Sequence, residues 1–222
     1  MENFKILIAV PAMDRIPTET VASLLDLRDN TKYKNAILLK QNTYIHTARN
    51  QFVYDAVENA ATHLMFIDSD MQFKAKDFDT LIERNLDIVG GLYVSRFSEK
   101  QNICKKIIEK DGFRQMIDFN EIPTMSEPFE VDAVGTGFML INMNVFKVLE
   151  PPFFFYTEPT TFHMKSVRFP NNELGEDITF CMYAKENGFK VWCDPTVEIG
   201  HVGRKVYKHP MYPEYKPQGI ME

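Results

Sequence analysis

Apolar and polar positions alternate in the first half of the chain in a pattern that predicts strands and helices in turn. Short β-branched or apolar runs are typical of strands, whereas apolar residues three to four positions apart indicate one face of a helix. The predicted strands are residues 5–10, 36–40, 64–67 and 87–92, and the predicted helices are 18–27 or 20–27, 45–61 and 75–85. This alternation predicts an α/β fold with a mostly parallel sheet covered by helices on both faces.

The second half is less regular. Residues 105–119 are predicted to form weakly alternating strands or an excursion. Two strands in 131–141 are separated by Gly135-Thr136-Gly137, which is either a bend or a close approach to a substrate. A helix at 176–187 ends at Gly188, strands follow near 190–193 and 196–199, and the aromatic block 153–156 is interpreted as packing rather than a sugar platform. We expect a single domain with a nucleotide-binding half (1–100), an acceptor and metal half (101–206) and an extended tail (207–222).

Composition narrows the possible functions. The chain has 222 residues and a formal net charge of −6, which argues against a protein that holds nucleic acid by its phosphates. No apolar run approaches the ~20 residues of a membrane span. The three cysteines, Cys104, Cys181 and Cys193, show no C-x-x-C spacing, so we expect reduced thiols in a cytoplasmic protein.

The most informative polar residues stand where a predicted strand ends. Ligands of open parallel sheets bind beyond the carboxyl ends of the strands, so residues after Val10 and after Ile67 are candidates for one shared site. Asp68-Ser69-Asp70 follows the apolar run 64–67 directly. If strand geometry persists to Asp70, the two carboxylates converge and favour a hard cation such as Mn²⁺ or Mg²⁺. The alternative is a capped turn, which Asp and Ser also favour.

Three further positions admit both a functional and a structural interpretation. Glu176 and Asp177 open a helix, where a carboxylate either caps free N–H groups or takes a proton from an attacking hydroxyl. His201 follows the last predicted strand between two glycines, as a hydrogen-bonded residue or as a ligand of Mn²⁺. Arg49, next to Asn50, falls at the edge of an apolar helix stripe, where its partner is either a diphosphate or a carboxylate of the protein.

Taken in order, these residues resemble the GT-A glycosyltransferases, particularly the family 2-like enzymes. The resemblance extends from residue 6 to about residue 203 and rests on the order and spacing of its parts. Those parts are Val10-Pro11-Ala12, Arg49-Asn50, Asp68-Ser69-Asp70, Gly135-Thr136-Gly137-Phe138, Glu176-Asp177 and His201. The resemblance implies a single GT-A (Rossmann-like) domain that transfers a sugar from a nucleoside-diphosphate sugar, with UDP favoured, to an acceptor hydroxyl with inversion.

The resemblance also implies a role for each matched residue. The residues expected to contact the donor are Pro11, Ala12, Asp14, Arg49, Asn50, Asp68, Ser69 and Gly137. Asp70 and His201 are the expected ligands of Mn²⁺ (or Mg²⁺), and Asp68 is expected at the ribose or a metal-bound water. Asp177 is the expected general base, with Glu176 as the alternative.

Three other classes of protein stay open. A sugar-phosphate nucleotidyltransferase usually has a glycine-rich basic loop near its N-terminus, whereas residues 11–17 contain no glycine and one arginine, Arg15. A non-catalytic nucleotide-sugar or carbohydrate-binding module would keep the fold without turnover. A metal phosphoesterase would need further ligands at other strand ends. The residues do not indicate whether the acceptor is a glycan, a protein, a lipid or a modified nucleobase.

Overall fold

Helices and strands occupy most of the chain. The computed structural model describes residues 4–95, 98–110, 112–119, 121–164, 173–203 and 206–207. The strands are β1 Lys5–Ala12, β2 Lys34–Gln41, β3 His63–Ile67, β4 Met71–Gln72, β5 Ile88–Gly91, β6 Val94–Ser95, β7 Ser98–Asn102, β8 Lys105–Lys110, β9 Phe113–Asp118, β10 Phe129–Val131, β11 Phe138–Asn142, β12 Val191–Asp194, β13 Gly200–Val202 and β14 Val206–Tyr207. The helices are α1 Thr18–Asn30, α2 Ile45–Glu58, α3 Ala75–Glu83, α4 Val145–Val148 and α5 Glu176–Glu186, with a 3₁₀ turn at Pro159–Phe162.

The central sheet has seven strands in the order β10-β12-β5-β11-β3-β1-β2. β1 pairs in parallel with β2 and β3, and β5 pairs in parallel with β12. β11 runs antiparallel between β3 and β5, and β10 is antiparallel to β12 at the edge. The sheet is therefore mixed but mostly parallel, as predicted, and belongs to a single-domain α/β protein. The carboxyl ends of β1, β2, β3, β5 and β12 share one edge.

The core lies on both faces of this sheet because successive strand residues point to opposite sides. In β1, Leu7 and Ala9 face the cluster that contains the buried residues of α2 and α5. Ile6, Ile8 and Val10 face the cluster that contains the buried residues of α1 and α3. Helices thus cover both faces of the sheet.

A second sheet, β14-β13-β4, lies at the carboxyl edge of β3. β13 runs antiparallel to β4, with His201 opposite Met71. The strand predicted at 196–199 is therefore wrong, because those residues form a turn and loop and the strand begins at Gly200. His201 lies within a strand rather than after one, and pairing with β4 sets its position.

The other predicted elements of the first half agree with the structure to within a few residues. The weak alternation at 105–119 is an antiparallel hairpin of β8 and β9, and α5 ends before Gly188, which has a φ of +88° as expected for a glycine beyond a helix end. Of the predicted tail 207–222, all but Tyr207 lies outside the described residues. In the described part of the chain, no helix is both long and apolar enough to cross a lipid bilayer.

Candidate functional site

A cleft of about 150 Å³ opens at the carboxyl edge of the sheet. Its lining comes from the end of β1, from the loop that leads into α2 and from the turn after β3. The lining residues are Pro11, Ala12, Met13, Thr43, Ile45, Asp68, Ser69 and Asp70. The structure thus brings together four of the residues expected to contact the donor, Pro11, Ala12, Asp68 and Ser69, with Asp70.

Asp68, Ser69 and Asp70 form a turn, because β3 ends at Ile67 and the Met71 N–H donates to the Asp68 carbonyl at 3.2 Å. The condition that strand geometry continues to Asp70 is therefore not met, and the turn alternative describes the backbone correctly. The two carboxylates take different partners: Asp68 contacts Arg49, and Asp70 contacts His201. Both still line the same cleft.

Asp70 and His201 lie side by side, although 131 positions separate them in the chain. The Asp70 Oδ2 atom is 3.3 Å from His201 Nε2. The His201 Nδ1 atom is 3.0 Å from the Val94 carbonyl oxygen, and a carbonyl only accepts, so Nδ1 carries a proton and donates. His201 Nε2 thus faces the Asp70 carboxylate, so that both atoms can ligate one cation.

The buried side chain of Arg49 connects two segments of the site. It is 2% exposed, donates from Nη2 to Asp68 at 2.9 Å and from Nε to Glu176 at 3.2 Å, and stacks over the Phe66 ring. Burial alone would lower the pKa of Arg49, but the charges of Asp68 and Glu176 raise it above its ordinary value. Arg49 is therefore a permanent cation. Its buried Nη1 atom has no hydrogen-bond partner among the described residues.

Asp177 is the titratable carboxyl group of the site. Burial of the carboxylate and the neighbouring charge of Glu176 raise its pKa from 3.8 to about 6, against the opposing effects of the Ile178 N–H bond and Arg49. Burial and Glu176, which hydrogen-bonds to its hydroxyl, likewise raise the pKa of Tyr156 to about 12. Near neutral pH, Asp177 is thus ionised and more basic than an ordinary aspartate, while Tyr156 keeps its proton.

The two glycines around Thr136 are explained by packing. The Tyr93 hydroxyl accepts a hydrogen bond from the Gly137 N–H at 2.9 Å, and a Cβ on either Gly135 or Gly137 would come within 2.5 Å of that oxygen. The Gly137 carbonyl in turn accepts from the Asp68 N–H at 2.9 Å. Tyr93 therefore requires the glycines, and contact between Gly137 and a donor sugar stays a prediction.

Two other expected donor contacts receive no support from the geometry. The Asn50 amide is committed to the protein: its Nδ2 donates to the carbonyls of His46 and Phe154, and its Oδ1 accepts from the N–H groups of Phe153 and Phe154. Asn50 thus fixes the 153–154 segment to α2. Asp14 is exposed in the loop after β1, beside its neighbour Arg15.

The expected packing role of the aromatic block holds for Phe153 and Phe154, which are buried. Tyr156 differs, because it is 45% exposed and contacts Glu176. The packing interpretation thus does not extend to Tyr156. Sequence reasoning missed Tyr93, although it follows the end of β5 and the strand-end argument that located Asp68 could have found it.

The described residues contain no group of three or more His, Cys, Asp or Glu side chains that could hold a metal ion. Asp70 and His201 are thus a pair of candidate ligands rather than a complete metal cage.

Fold and site together define a single-domain α/β protein with an acidic cleft at the carboxyl edge of a mostly parallel sheet. No protein-family model matches the chain, and no curated protein matches it. Among solved structures, its fold is similar to the crystal structure of A197 from STIV, with a TM-score of 0.61 over 97% of this chain and 100% of that chain. The sequence identity is 15%, so this similarity bears on the fold alone.

Proposed function

We propose that this chain is a metal-dependent glycosyltransferase of the GT-A type, which transfers a sugar from a UDP-sugar to an acceptor hydroxyl with inversion. The observation that carries the proposal is the contact of Asp70 with His201 at a cleft lined by residues expected to hold the nucleotide. The two residues are 131 positions apart in the chain, and Asp70 itself lines the cleft. The proposal also rests on the basic carboxylate Asp177, which a transfer to a hydroxyl requires.

Asp70 and His201 fit a divalent cation as neighbouring ligands. In an octahedral shell with bonds of about 2.1 Å, adjacent ligand atoms are about 3 Å apart, and the two side-chain atoms are 3.3 Å apart. The hydrogen bond to Val94 orients the imidazole so that Nε2 is the nitrogen available to a metal. Because the described residues form no group of three such ligands, diphosphate oxygens and water would complete the shell.

When bound, Mn²⁺ or Mg²⁺ would neutralise the negative charge that develops on the leaving diphosphate. The chain's own residues hold the reactants: Pro11, Ala12 and Ser69 line the cleft for the nucleoside. Asp177 accepts the proton of the acceptor hydroxyl as the acceptor oxygen attacks the anomeric carbon. The bond from that carbon to the diphosphate oxygen breaks, and its electron pair leaves with UDP.

Asp177 is a better candidate for the base than Glu176. Glu176 is buried, accepts from Arg49 and bonds to the Tyr156 hydroxyl, so its oxygens have structural partners. Asp177 has a pKa of about 6, close to the working pH, where general bases are most effective. The pair thus divides its roles: Glu176 fixes the start of α5 to Arg49, and Asp177 takes the proton.

The test combines nucleotide binding with turnover. We expect calorimetry to show UDP binding that requires Mn²⁺, and UDP-glucose, UDP-galactose or UDP-N-acetylglucosamine to be hydrolysed slowly when water replaces the acceptor. Asp70→Asn should weaken UDP binding in the presence of Mn²⁺ by at least about tenfold. Asp177→Asn should retain UDP binding and lose hydrolysis. Asp87→Asn, at an exposed position before β5, is the matched control and should behave as wild type.

Each other outcome has a distinct meaning. If wild type binds no nucleoside diphosphate with Mn²⁺ present, the proposal is wrong. Release of pyrophosphate from a nucleoside triphosphate and a sugar phosphate would identify a nucleotidyltransferase instead. Binding of UDP-sugars without hydrolysis or transfer to any acceptor would identify a binding module.

A further inference from the structure

A shallow groove of about 330 Å³ runs along the surface beside the candidate site. It lies between the first turns of α2 and the loop that follows α4. The groove is lined by the rings of His46, Tyr54, Pro151 and Pro152 and by the uncharged polar residues Thr47, Asn50 and Gln51. These described residues include no carboxylate, which distinguishes the groove from the acidic cleft at the ends of β1 and β3.

A row of rings connects this groove to the carboxylates. The Tyr44 and His46 rings stack with their centroids 6.1 Å apart, and the His46 and Tyr156 rings meet edge to face at 5.3 Å. The Tyr156 hydroxyl then bonds to Glu176, next to Asp177. Tyr44 is 80% exposed and Tyr156 is 45% exposed, so the row presents ring surface to solvent instead of burying it. Thr43 and Ile45, the sequence neighbours of Tyr44, line the cleft at the ends of β1 and β3.

We propose that the groove and this row bind a neutral carbohydrate acceptor, an inference that rests on the proposed glycosyl transfer. The C–H faces of a sugar ring are apolar and pack on exposed aromatic rings, while its hydroxyl groups donate to carboxylates. Tyrosine provides such contact area at a low cost in conformational entropy. A sugar stacked at Tyr156 would have its hydroxyl edge beside Asp177.

Charge selects the class of acceptor. Glu176 and Asp177 lie at the Tyr156 end of the row, and Arg49 is already shared between Glu176 and Asp68. An acceptor that carries phosphate, such as a phospholipid or a nucleic acid, would face these carboxylates at short range. A neutral glycan experiences no such repulsion, and its hydroxyl groups can donate hydrogen bonds to the carboxylate oxygens.

The test measures transfer of sugar from the UDP-sugar to methyl hexosides and neutral disaccharides, compared with hydrolysis in the same reaction. We expect wild type to prefer these saccharides to water and to serine-containing peptides. Tyr44→Ala should lower the ratio of transfer to hydrolysis by roughly tenfold through a higher KM for the saccharide. Val57→Ala, at an exposed apolar position on α2, the helix that follows Tyr44, is the control and should leave the ratio unchanged.

The failures are distinguishable. Absence of UDP-sugar hydrolysis by wild type contradicts the proposed function itself. Hydrolysis with transfer to peptides but not to saccharides overturns the carbohydrate acceptor and leaves the glycosyltransferase in place. A rise in the KM of the donor, with no change in that of the saccharide, would assign Tyr44 to the nucleotide cleft and also overturn the inference.

A different observation concerns two of the three cysteines. The Sγ atoms of Cys104 and Cys193 are 3.1 Å apart, and both residues are fully buried. Cys104 lies between β7 and β8, and Cys193 lies in β12. The Sγ–Sγ distance exceeds the length of a disulfide bond by about 1 Å, so closure needs only a small shift. Cys181 is also buried, but its thiol donates to the Val134 carbonyl.

We infer that Cys104 and Cys193 form a disulfide when the protein meets a disulfide oxidant such as oxidised glutathione. One cysteine thiolate attacks the oxidant and releases one glutathione; the second cysteine, after loss of its proton, displaces the other glutathione and forms the Cys104–Cys193 bond. The two cysteines lose two electrons and two protons in total, and the oxidant is reduced to two thiols. Burial raises the pKa of Cys193 well above its ordinary value, so the folded protein should react slowly, at the rate of local opening.

The linkage is tested on the folded chain by peptide mass spectrometry without reduction, after incubation with oxidised glutathione. We expect a peptide pair joined through Cys104 and Cys193, and a melting temperature about 5–15 °C higher than in the reduced protein, because the bond closes a loop of 89 residues. Cys181→Ala should keep both effects, and Cys104→Ala should lose both. A stable glutathione adduct, a link through Cys181 or unmodified thiols in wild type would each overturn the inference.

Discussion

Replacement of Asp177 by asparagine should make the folded protein more stable while it abolishes catalysis. The pKa of Asp177 in the folded chain is about 6, against an ordinary value of 3.8. A difference of about two pH units corresponds to about 3 kcal/mol, since one unit is about 1.4 kcal/mol. Asparagine can keep the bond that Asp177 Oδ1 accepts from the Ile178 N–H and carries no charge. We therefore expect Asp177→Asn to raise the free energy of unfolding by about 1–3 kcal/mol at pH 7.5.

The sign follows from the raised pKa. Between pH 4 and pH 6 the folded chain holds the Asp177 proton more tightly than the unfolded chain does, so this group's contribution to stability is complete below pH 3.8 and is lost as the pH rises through about 6. The difference between variant and wild type should thus be near zero at pH 4 and fully developed above pH 6. Wild-type activity should rise with pH through the same interval, because only the ionised carboxylate accepts the proton.

Urea denaturation at pH 4 and pH 7.5 measures both differences directly. Asp87→Asn removes an exposed carboxylate of the same type and should show no comparable gain at pH 7.5. If Asp177→Asn is less stable than wild type at pH 7.5, or if its advantage is equally large at pH 4, the carboxylate is not destabilised by its surroundings. The assignment of Asp177 as a basic, partly desolvated group would then be refuted, independently of any activity assay.

Two further substitutions test the supports of the site. Glu176→Gln should lower the free energy of unfolding by about 1–3 kcal/mol, because the buried Arg49 loses one of its two charged partners. If the variant and the wild type are equally stable in urea, Asp68 alone balances the charge of Arg49. Gly137→Ala should cost about 1–3 kcal/mol, because its Cβ would lie 2.4 Å from Met71 Cε and 2.5 Å from the Tyr93 hydroxyl oxygen. The companion Gly137→Ala, Tyr93→Phe double variant, which removes that oxygen, should recover part of the loss, and no recovery would place the main clash at Met71.

The fold was predictable from sequence where local pattern determines structure. Strands β1 and β3 are apolar runs with clear ends, and their parallel pairing places Ala12 and Asp68 at one edge without further information. The apolar spacing predicted α2 correctly, whereas the contact of Asn50 with a donor was implied only by the family resemblance. The structure assigns the Asn50 amide to the backbone of the 153–154 segment, about a hundred residues away, and no local pattern carries that information.

The site was less predictable because its geometry depends on pairing between distant segments. Arg49 and Glu176 are 127 residues apart, and the sequence allowed either a diphosphate or a carboxylate as the partner of Arg49. His201 was placed after a strand, whereas pairing with the two-residue strand β4 puts it inside one. A strand as short as β4 has no periodicity to detect, so the approach of His201 to Asp70 could only be inferred through the family resemblance.

The balance of charge connects the proposed cation, the base and the acceptor. Asp68 and Glu176 share the guanidinium group of Arg49. At neutral pH these three side chains therefore carry a net negative charge, to which Asp70 and Asp177 add. Burial, together with this surplus, raises the pKa of Asp177, which provides the base, and the surplus would also repel the diphosphate of a donor unless a cation intervened. A cation bound beside Asp70 and His201 would be stabilised most by this net negative charge. The net negative charge that adds to the effect of burial on Asp177 thus also makes donor binding dependent on the metal.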